Sequence, residues 1–485
     1  MAVSEEQDFV KQITKMSVDF DKWYTDVVRK AELADYAPIA GTMVLRPLGT
    51  ATWDAIRRAF DDLIAETGHE NWIFPLLIPE DVFMKEAEHV QGFAPEVAWV
   101  TRGGKEDLAV PLVVRPTSET IIGTIVRKYI QSHRDLPLLT NQWANVVRWE
   151  MRTRLFLRSR EFYWQEGHTF HATAAEAESE VLQILDDYRE IAEDWLAVPV
   201  IPGRKTEVEK FAGAEFTTSI EGMMRDGLAL QMGTSHYFGQ NFSSAYDIGF
   251  TNRENRRELC YTTSWGISWR LIGGLVMAHG DDSGLVMPPR IAPVQAAIVP
   301  IFRDEAGREA VSRFLAPITA ALKGRVRHRV DWRDNRPGDK YAHWEVRGVP
   351  FRVEAGPRDV EAGQVVVVDR LSREKRQVPA ASLADWLVDE LNAYHATLFE
   401  RARKFHTEHT AHPQTKQEFR DFFENGNGFA WAAFCDRTEC ELELKDQLGG
   451  VTARNKPFRV EGGFPDRCVW CEQPATTVAV FARAY

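Results

Sequence analysis

The chain has 485 residues, 44% of them hydrophobic and 27% charged, with a formal net charge of −12. That length is too great for one compact domain and points to roughly two to four, and the composition is that of an ordinary globular protein. The charged N-terminal string MAVSEEQDFVK has no apolar stretch of the kind a secretory leader needs, and no apolar run is long enough to cross a bilayer, so a cytoplasmic location with no membrane partner is expected.

The acidic total does not exclude a nucleic acid, because binding needs only a local patch. Between Arg325 and Arg376, 13 Lys/Arg stand against 9 Asp/Glu, and Arg148, Arg152, Arg154, Arg158 and Arg160 form a second basic cluster. No internal repeat or low-complexity tract is evident.

In chain order, Trp53, Ile56, Phe60, Leu63 and Ile64 keep a helical period. The apolar segment NWIFPLLIP follows, and Pro75 inside it restricts it to an edge or boundary strand. Thr117-Ser118-Glu119 then precedes an apolar helical face of Ile121, Ile122, Ile125, Val126, Tyr129 and Ile130. Ser118 suits the N-cap of that helix, with an acid in its first turn. The same three residues could equally aim a hydroxyl and a carboxylate at a substrate ammonium.

Arg148-Trp149-Glu150 leads through a basic loop into the run from Arg158 to His168. Alternate residues of a strand share a face. Arg148 and Glu150 should therefore project together, as should Phe162, Trp164, Glu166 and His168. Two aromatics, an acid and a histidine are unusual for plain core, because buried charge needs partners. They suit a small zwitterion beside an aromatic stacking platform; a solvated hairpin laced with Arg–Glu pairs is the alternative. Further strings are Gln231-Met232-Gly233-Thr234-Ser235-His236, then Ser264 to Arg270, then the acidic turn His279-Gly280-Asp281-Asp282-Ser283-Gly284. Arg270 brings a fixed charge suited to phosphate. Each string alone is as readily a polar strand, a packed helix or a loop.

The turn-forming Met287-Pro288-Pro289-Arg290 closes this first region. From 291 to 400, VQAAIVPIF, RVRHRV, PFRVEAG and QVVVVDR read as strands, and 304–323 and a stretch from Ser382 read as helices, an α/β pattern. From 401 to 485 the chain is polar and aromatic. It holds Cys435-x4-Cys440 and, 27 residues on, Cys468-x2-Cys471. Two close pairs at this separation fit a tetrahedral structural Zn²⁺ site, with disulfides or buried thiols as the alternatives. Cys260 reads as a buried or incidental thiol.

Taken together, TSE, RWE, FYWQEGHTF, KFAGA, TSHYFGQNF and HGDDSGLVMPPR, spread over about 170 residues, resemble the signatures of class II aminoacyl-tRNA synthetases in the form carried by the prolyl-tRNA synthetase family, and the resemblance covers essentially the whole chain. The Trp53–Pro75 segment resembles motif 1, which in the family forms a homodimer interface. Arg148–Trp164 resembles motif 2 and Ser264–Arg270 motif 3. The resemblance implies an α+β fold: an antiparallel-sheet catalytic domain at 1–290, an α/β anticodon-binding domain at 291–400 and a small α+β zinc-binding domain at 401–485.

It also implies ATP with Mg²⁺, L-proline and tRNA(Pro) as partners. Arg148 would contact the α-phosphate and the proline carboxylate, Glu150 and Ser159 would lie at the nucleotide, and Phe162 would stack on adenine. Arg158 and Arg270 would hold the terminal phosphates, with Gln231, Thr234 and Ser268 around ATP and its metal. Thr117, Glu119 and His236 would bind proline; Trp164, Glu166, His168, Phe211, Ser264 and Gly266 would shape its pocket. Arg148 and Arg270 would be the catalytic pair. A carboxylate attacking phosphorus is already a nucleophile and needs positioning and charge neutralisation, so no general base is required.

In the second region the resemblance points to Glu345 and Arg352 as readers of anticodon guanines, where an arginine to a base edge is a common contact; a salt bridge between the two is the alternative. The four-cysteine domain and a final Tyr485 match the archaeal and eukaryotic type, in which that tyrosine approaches the active site. Roughly 100 residues separate motifs 2 and 3, so the editing insertion of the other branch is missing. Small apolar differences discriminate weakly, so some alanine activation is expected, without hydrolysis of the charged tRNA in cis. The rivals are a threonine, glycine or histidine synthetase and a non-catalytic paralogue. Threonine enzymes hold a catalytic zinc with Cys and His, for which the core offers no convincing set. A paralogue should have lost phosphate ligands, whereas Arg148, Arg158, Gln231 and Arg270 are all present.

Overall fold

The computed structural model describes residues 13–89 and 96–485; the string read for a leader falls on residues 1–11, outside them. Strands of alternating pattern in the first region are β1 (Glu70–Asn71), β2 (Leu138–Val147), β3 (Glu161–His171), β4 (Val200–Arg204), β5 (Phe216–Met223), β6 (Ala229–Gly239) and β7 (Tyr261–Ser268). They lie in the order β1-β2-β3-β7-β6-β5-β4 and are antiparallel except at the β1–β2 edge. The helices that matter to this sheet are α1 (Phe20–Lys30), α2 (Pro47–Glu66), α3 (Glu119–Val126), α4 (Ala174–Glu190) and α5 (Arg270–His279).

One face of the sheet is covered by apolar helices. Phe60 of α2 stacks on Tyr188 of α4 with centroids 5.2 Å apart, and both Phe60 and His69 meet Trp265 of β7 edge-on. Room for the indole comes from Gly167 on the neighbouring strand, where a Cβ would stand 2.1 Å from the Trp265 ring.

The second region forms its own sheet from β8 (Ala296–Pro300), β9 (His328–Val330), β10 (Phe351–Ala355), β11 (Gln364–Asp369) and β12 (Lys375–Pro379), in the order β9-β8-β10-β11-β12 with parallel and antiparallel pairs. This is the α/β pattern expected, with α6 (Glu305–Leu322) started by the Asp304 cap. Helix α7 (Leu383–Glu408) runs unbroken past position 400. The last region supplies β13 (Thr410–Ala411), β14 (Phe429–Phe434), α8 (Thr438–Gln447), β15 (Thr452–Pro457) and β16 (Thr477–Ala482). These strands extend the first sheet: β15 pairs with β4, and the order continues β4-β15-β16-β14-β13 to make eleven strands.

Four local readings can be followed into the structure. Pro75 splits its segment, and both pieces are edge strands as expected: β1 ends the long sheet and Leu77–Pro79 ends a small three-stranded one. Helix α3 stops at Val126, short of Tyr129 and Ile130. Ser118 occupies the N-cap position but makes no capping bond; its hydroxyl is spent on Glu166. The acidic turn after α5 is a joint, not part of a site: Asp281 pairs with Arg370 of the second region through two contacts of 2.8 and 2.7 Å and accepts at its carbonyl from Trp23 at 3.0 Å.

Gly167→Ala is expected to destabilise the protein by about 3 kcal/mol or more, because the methyl group overlaps a buried indole held on several sides. Denaturant unfolding with Trp265-sensitive fluorescence checks this; an unchanged midpoint would show that the indole can move.

Candidate active site

The uncovered face of the sheet bears polar side chains in rows fixed by register. One row runs Thr217, His236, Ser264, His168, Thr140 across β5, β6, β7, β3 and β2. The next runs Ser219, Thr234, Gly266, Glu166, Gln142. Trp164 stands opposite Ser268 in a third. Above these rows lies a cavity of about 240 Å³.

Its acidic end is tightly bonded. Glu166 accepts from the Ser118 hydroxyl, from Gln142 Nε2 at 2.6 Å and from His168 Nε2 at 3.2 Å. Glu119 accepts from Thr117 and, at 3.3 Å, from Ser264. His236 hydrogen-bonds Thr217 at 2.9 Å through Nδ1 and packs its ring 4.8 Å from Phe211. Burial first, and then the charges of His168 and Lys205, bring His236 down to about 3, so it stays neutral. His168 goes the other way. Burial pushes it down, but the Glu166 hydrogen bond and the Glu119 and Glu166 charges more than reverse this, and its pKa lies above the ordinary 6.5. Glu166 is held below 4.5, since His168, Ser118 and Arg115 outweigh the burial that would raise it.

Arg148 sits between this acidic end and the aromatic wall. It donates from Nε to the Pro116 carbonyl at 2.9 Å, and its guanidinium lies 5.3 Å from the Phe162 ring and 5.4 Å from that of Trp164. The two rings meet edge to face. At the other end, Arg270 opens α5, anchored from Nε to the Leu157 carbonyl at 3.2 Å. Burial, then the neighbouring Arg158 and Arg148, lower it to about 10, so it keeps its charge at neutral pH. Acidic groups at one end and edge-to-face rings with arginines at the other suit a cation-bearing small molecule beside an aromatic base and phosphates.

Of the residues singled out in the sequence, Thr117, Glu119, Arg148, Phe162, Trp164, Glu166, His168, Phe211, Gln231, Thr234, His236, Ser264, Gly266, Ser268 and Arg270 line this cavity. Glu150, Arg158 and Ser159 do not. Strand β2 ends at Val147, so Arg148 and Glu150 do not share a strand face as expected; the Glu150 carboxylate is 3.9 Å from half-exposed Arg158, and Ser159 donates to the Glu161 carbonyl at 2.8 Å. Sequence reading passes over Glu209 and Thr217, and it gives no role to Met232, Gly233, Trp265 and Ile267, which lie inside the strings named above. Thr217 could have been found from the β5–β6 register; Glu209 lies in a loop that carries no periodic signal.

The remaining candidates fall in two further places. Glu345 and Arg352 share a cavity of about 200 Å³ with Asp369, Arg370, Arg373 and Lys375. They do not pair with each other: Glu345 lies 3.6 Å from Arg373, and Arg352 binds Glu354 at 2.9 Å and covers the Tyr341 ring at 4.1 Å. The sulfurs of Cys435, Cys440, Cys468 and Cys471 all lie within 4.8 Å of one another, the closest pairs at 3.6 and 3.8 Å. Those distances exclude disulfides and match the ~3.8 Å edge of a tetrahedron with 2.3 Å Zn–S bonds. Cys260 is a buried thiol pushed up to about 12 by burial. Tyr485 packs its ring 5.2 Å from the Arg154 guanidinium, which Tyr24 covers from 4.7 Å, and its backbone N–H donates to Ala229 at the start of β6. No described helix is long and apolar enough to cross a membrane.

Comparison with known proteins agrees with this geography. Residues 101–279 match the family model "tRNA synthetase class II core domain (G, H, P, S and T)", 295–390 the model "Anticodon binding domain", and 416–485 the model "Prolyl-tRNA synthetase, C-terminal". The chain is 50% identical to a proline–tRNA ligase of Clostridioides difficile over the whole of both chains. It is also 50% identical to one of a Roseiflexus species, over 98% of this chain and 99% of that one. The crystal structure of a Cryptosporidium parvum prolyl-tRNA synthetase, complexed with halofuginone and AMPPNP, superposes with a TM-score of 0.92 at 39% identity, covering 97% of this chain and 99% of that one.

The buried Glu166–His168 pair sets a pH signature. The low carboxylate contributes stability that is present above 4.5 and lost as pH falls; the raised imidazole contributes stability that is present below 6.5 and lost as pH rises through its folded value. His168→Gln is therefore expected to lower Tm most between pH 4.5 and 6.5, with the deficit shrinking at higher pH. A deficit that stays constant across that range would mean the pair is not ionised.

Proposed function

The chain belongs to the prolyl-tRNA synthetase family, and on that premise we propose how its residues share the work. The enzyme is a proline–tRNA ligase of class II: it activates proline with ATP as prolyl-adenylate and then passes the prolyl group to tRNA(Pro). The observation that carries the assignment of residues is the position of Arg148, on which the carboxylates of Glu119 and Glu166 act most strongly among the charges and against whose guanidinium two aromatic rings lie.

Proline binds at the acidic end. Glu119 and Thr117 receive its ammonium, neutral His236 and Phe211 pack against its ring, and Trp164, Ser264 and Gly266 complete the walls. Glu166 and His168 are bonded to each other and hold the floor. Adenine stacks on Phe162. Arg148 bridges the amino-acid carboxylate and the α-phosphate, so it aligns nucleophile and electrophile and takes up charge as it develops. Arg270 holds the terminal phosphates from within the cavity. Arg158, Glu150 and Ser159 meet the nucleotide from outside the lining. Gln231, Thr234 and Ser268 offer neutral oxygens on the same wall, suited to ATP and a phosphate-bound Mg²⁺.

Three further assignments rest on the same family membership. Glu345 and Arg352 read anticodon guanines in the second cavity. The four thiolates hold a structural Zn²⁺, whose binding supplies folding energy to the last region. Two copies associate as a homodimer through the Trp53–Pro75 segment, in which Ile73 is fully exposed. The division at 290 and 400 describes three functional units, although α7 and the shared sheet tie them together. The site is that of a cytoplasmic enzyme without cis editing, and Tyr485 braces the motif 2 loop through Arg154.

Amino-acid-dependent pyrophosphate exchange tests the reaction and the site together. Proline should lead the twenty amino acids and alanine should follow weakly. Arg148→Ala and Arg270→Ala should each lower exchange by about 10²–10³-fold. Best exchange with another amino acid would move the assignment to a sister synthetase. Metal analysis should find one Zn²⁺ per chain, lost in Cys440→Ser together with a lower Tm; a full complement of zinc in that variant would place the ion elsewhere.

A further inference from the structure

Beneath the phosphate end of the cavity lies a buried charge cluster that joins the middle of the chain to its last region, 233 positions apart. Glu221 of β5, fully buried, accepts from Lys205 Nζ at 2.7 Å and from the Ser219 hydroxyl at 2.9 Å. Arg454 of β15, itself 7% exposed, donates from Nε to Glu221 at 3.3 Å and approaches Glu209 at 3.6 Å through Nη1, which also donates to Thr452 at 2.9 Å. Glu209 lines the cavity.

Both halves of this contact sit at interruptions of the sheet. The β5–β6 register shifts between Ile220 and Glu221, where Met232 of β6 is the extra residue and Glu221 stays paired with Gln231, and the β15–β16 register shifts between Ala453 and Asn455, which leaves Arg454 as the extra residue. A bulge re-aims one side chain at the cost of a ladder bond, and the one in β15 turns Arg454 toward Glu221, which stands directly beside the other. Asn455 secures the seam by donating to the Ile201 carbonyl at 2.8 Å. Among the charges acting on Arg270, Glu221 and Arg454 take opposite signs.

We propose that Arg454 is a positioning residue of the activation step: it holds the Glu209 carboxylate in the cavity wall and, with Lys205, cancels the charge of Glu221 below Arg270. It touches no substrate. Its removal leaves two carboxylates facing one lysine, so the potential that attracts the triphosphate falls at the phosphate end, while Glu119 and Glu166 at the proline end keep their own donors. The proposal rests on the cavity being the ATP and proline site.

The test is steady-state pyrophosphate exchange on the full-length, zinc-loaded enzyme. Wild-type exchange with proline checks the underlying reading; its absence would overturn both. Arg454→Met should raise KM for ATP about tenfold, the effect of losing one buried charge partner, and leave KM for proline within about twofold. Glu209→Gln added to Arg454→Met should return KM for ATP toward the wild-type value, and Arg454→Lys, which keeps the charge, should fall between. Should Arg454→Met fail to fold, Arg454→Lys is judged alone, by a selective rise in KM for ATP with normal zinc content. Equal rises for ATP and proline, or none for ATP, would reduce Arg454 to a structural contact and overturn the proposal.

Discussion

A carboxylate taken out of water must be given donors or an opposite charge, or it will not stay ionised. This constraint governs the molecule. The cavity holds Glu119, Glu166 and Glu209, with Glu221 beneath. Each is answered by a specific neighbour: sheet register brings Gln142, His168, Ser264 and Ser219, and the segments beside the sheet bring Thr117, Ser118 and Lys205. An antiparallel sheet is suited to this, because its rows bring side chains from five strands to one latitude without any strand bending. The opposite face is left free for Trp265, Tyr188 and Phe60, so the same strands serve a dry core and a polar floor.

The rows also explain why the groups differ in ionisation. His168 and His236 stand in one row with Ser264 between them, yet one is raised and the other lowered. The difference is their company: His168 has two carboxylates, whereas His236 has a threonine, an aromatic wall and the charge of His168 itself. Glu119, Glu166 and His168 converge closely enough to hold a metal, but they are already bonded to Ser118, Gln142, Thr117 and Ser264, and no cysteine joins them. That is the physical difference from a core built around a catalytic zinc.

Much of the site was legible in the sequence because its residues alternate. Phe162, Trp164, Glu166 and His168 follow the period of β3, and the family strings added their partners on β6 and β7. What could not be read depends on contacts between distant segments. Ser118 looks like a helix cap until Glu166 competes for its hydroxyl. The acidic turn after α5 looks like part of a site until Arg370 is placed against it. Glu209 has no pattern of its own and is located by Arg454, an arginine from the far end of the chain. The three regions were visible in texture, but their fusion was not, because a strand's sequence does not name the strand beside it.

That fusion has a consequence for the order in which the protein is made. Arg204 of β4 pairs with Lys456 of β15, 252 positions later. At ~5–20 residues per second, a growing chain leaves that strand edge unpaired for roughly 13–50 s after β4 is synthesised. An open edge is a template for unwanted pairing, and β4 is short, with Pro202 and Gly203 in its middle and a charged Arg204 at its end. These are the features that discourage a wrong neighbour while the right one is still on the ribosome.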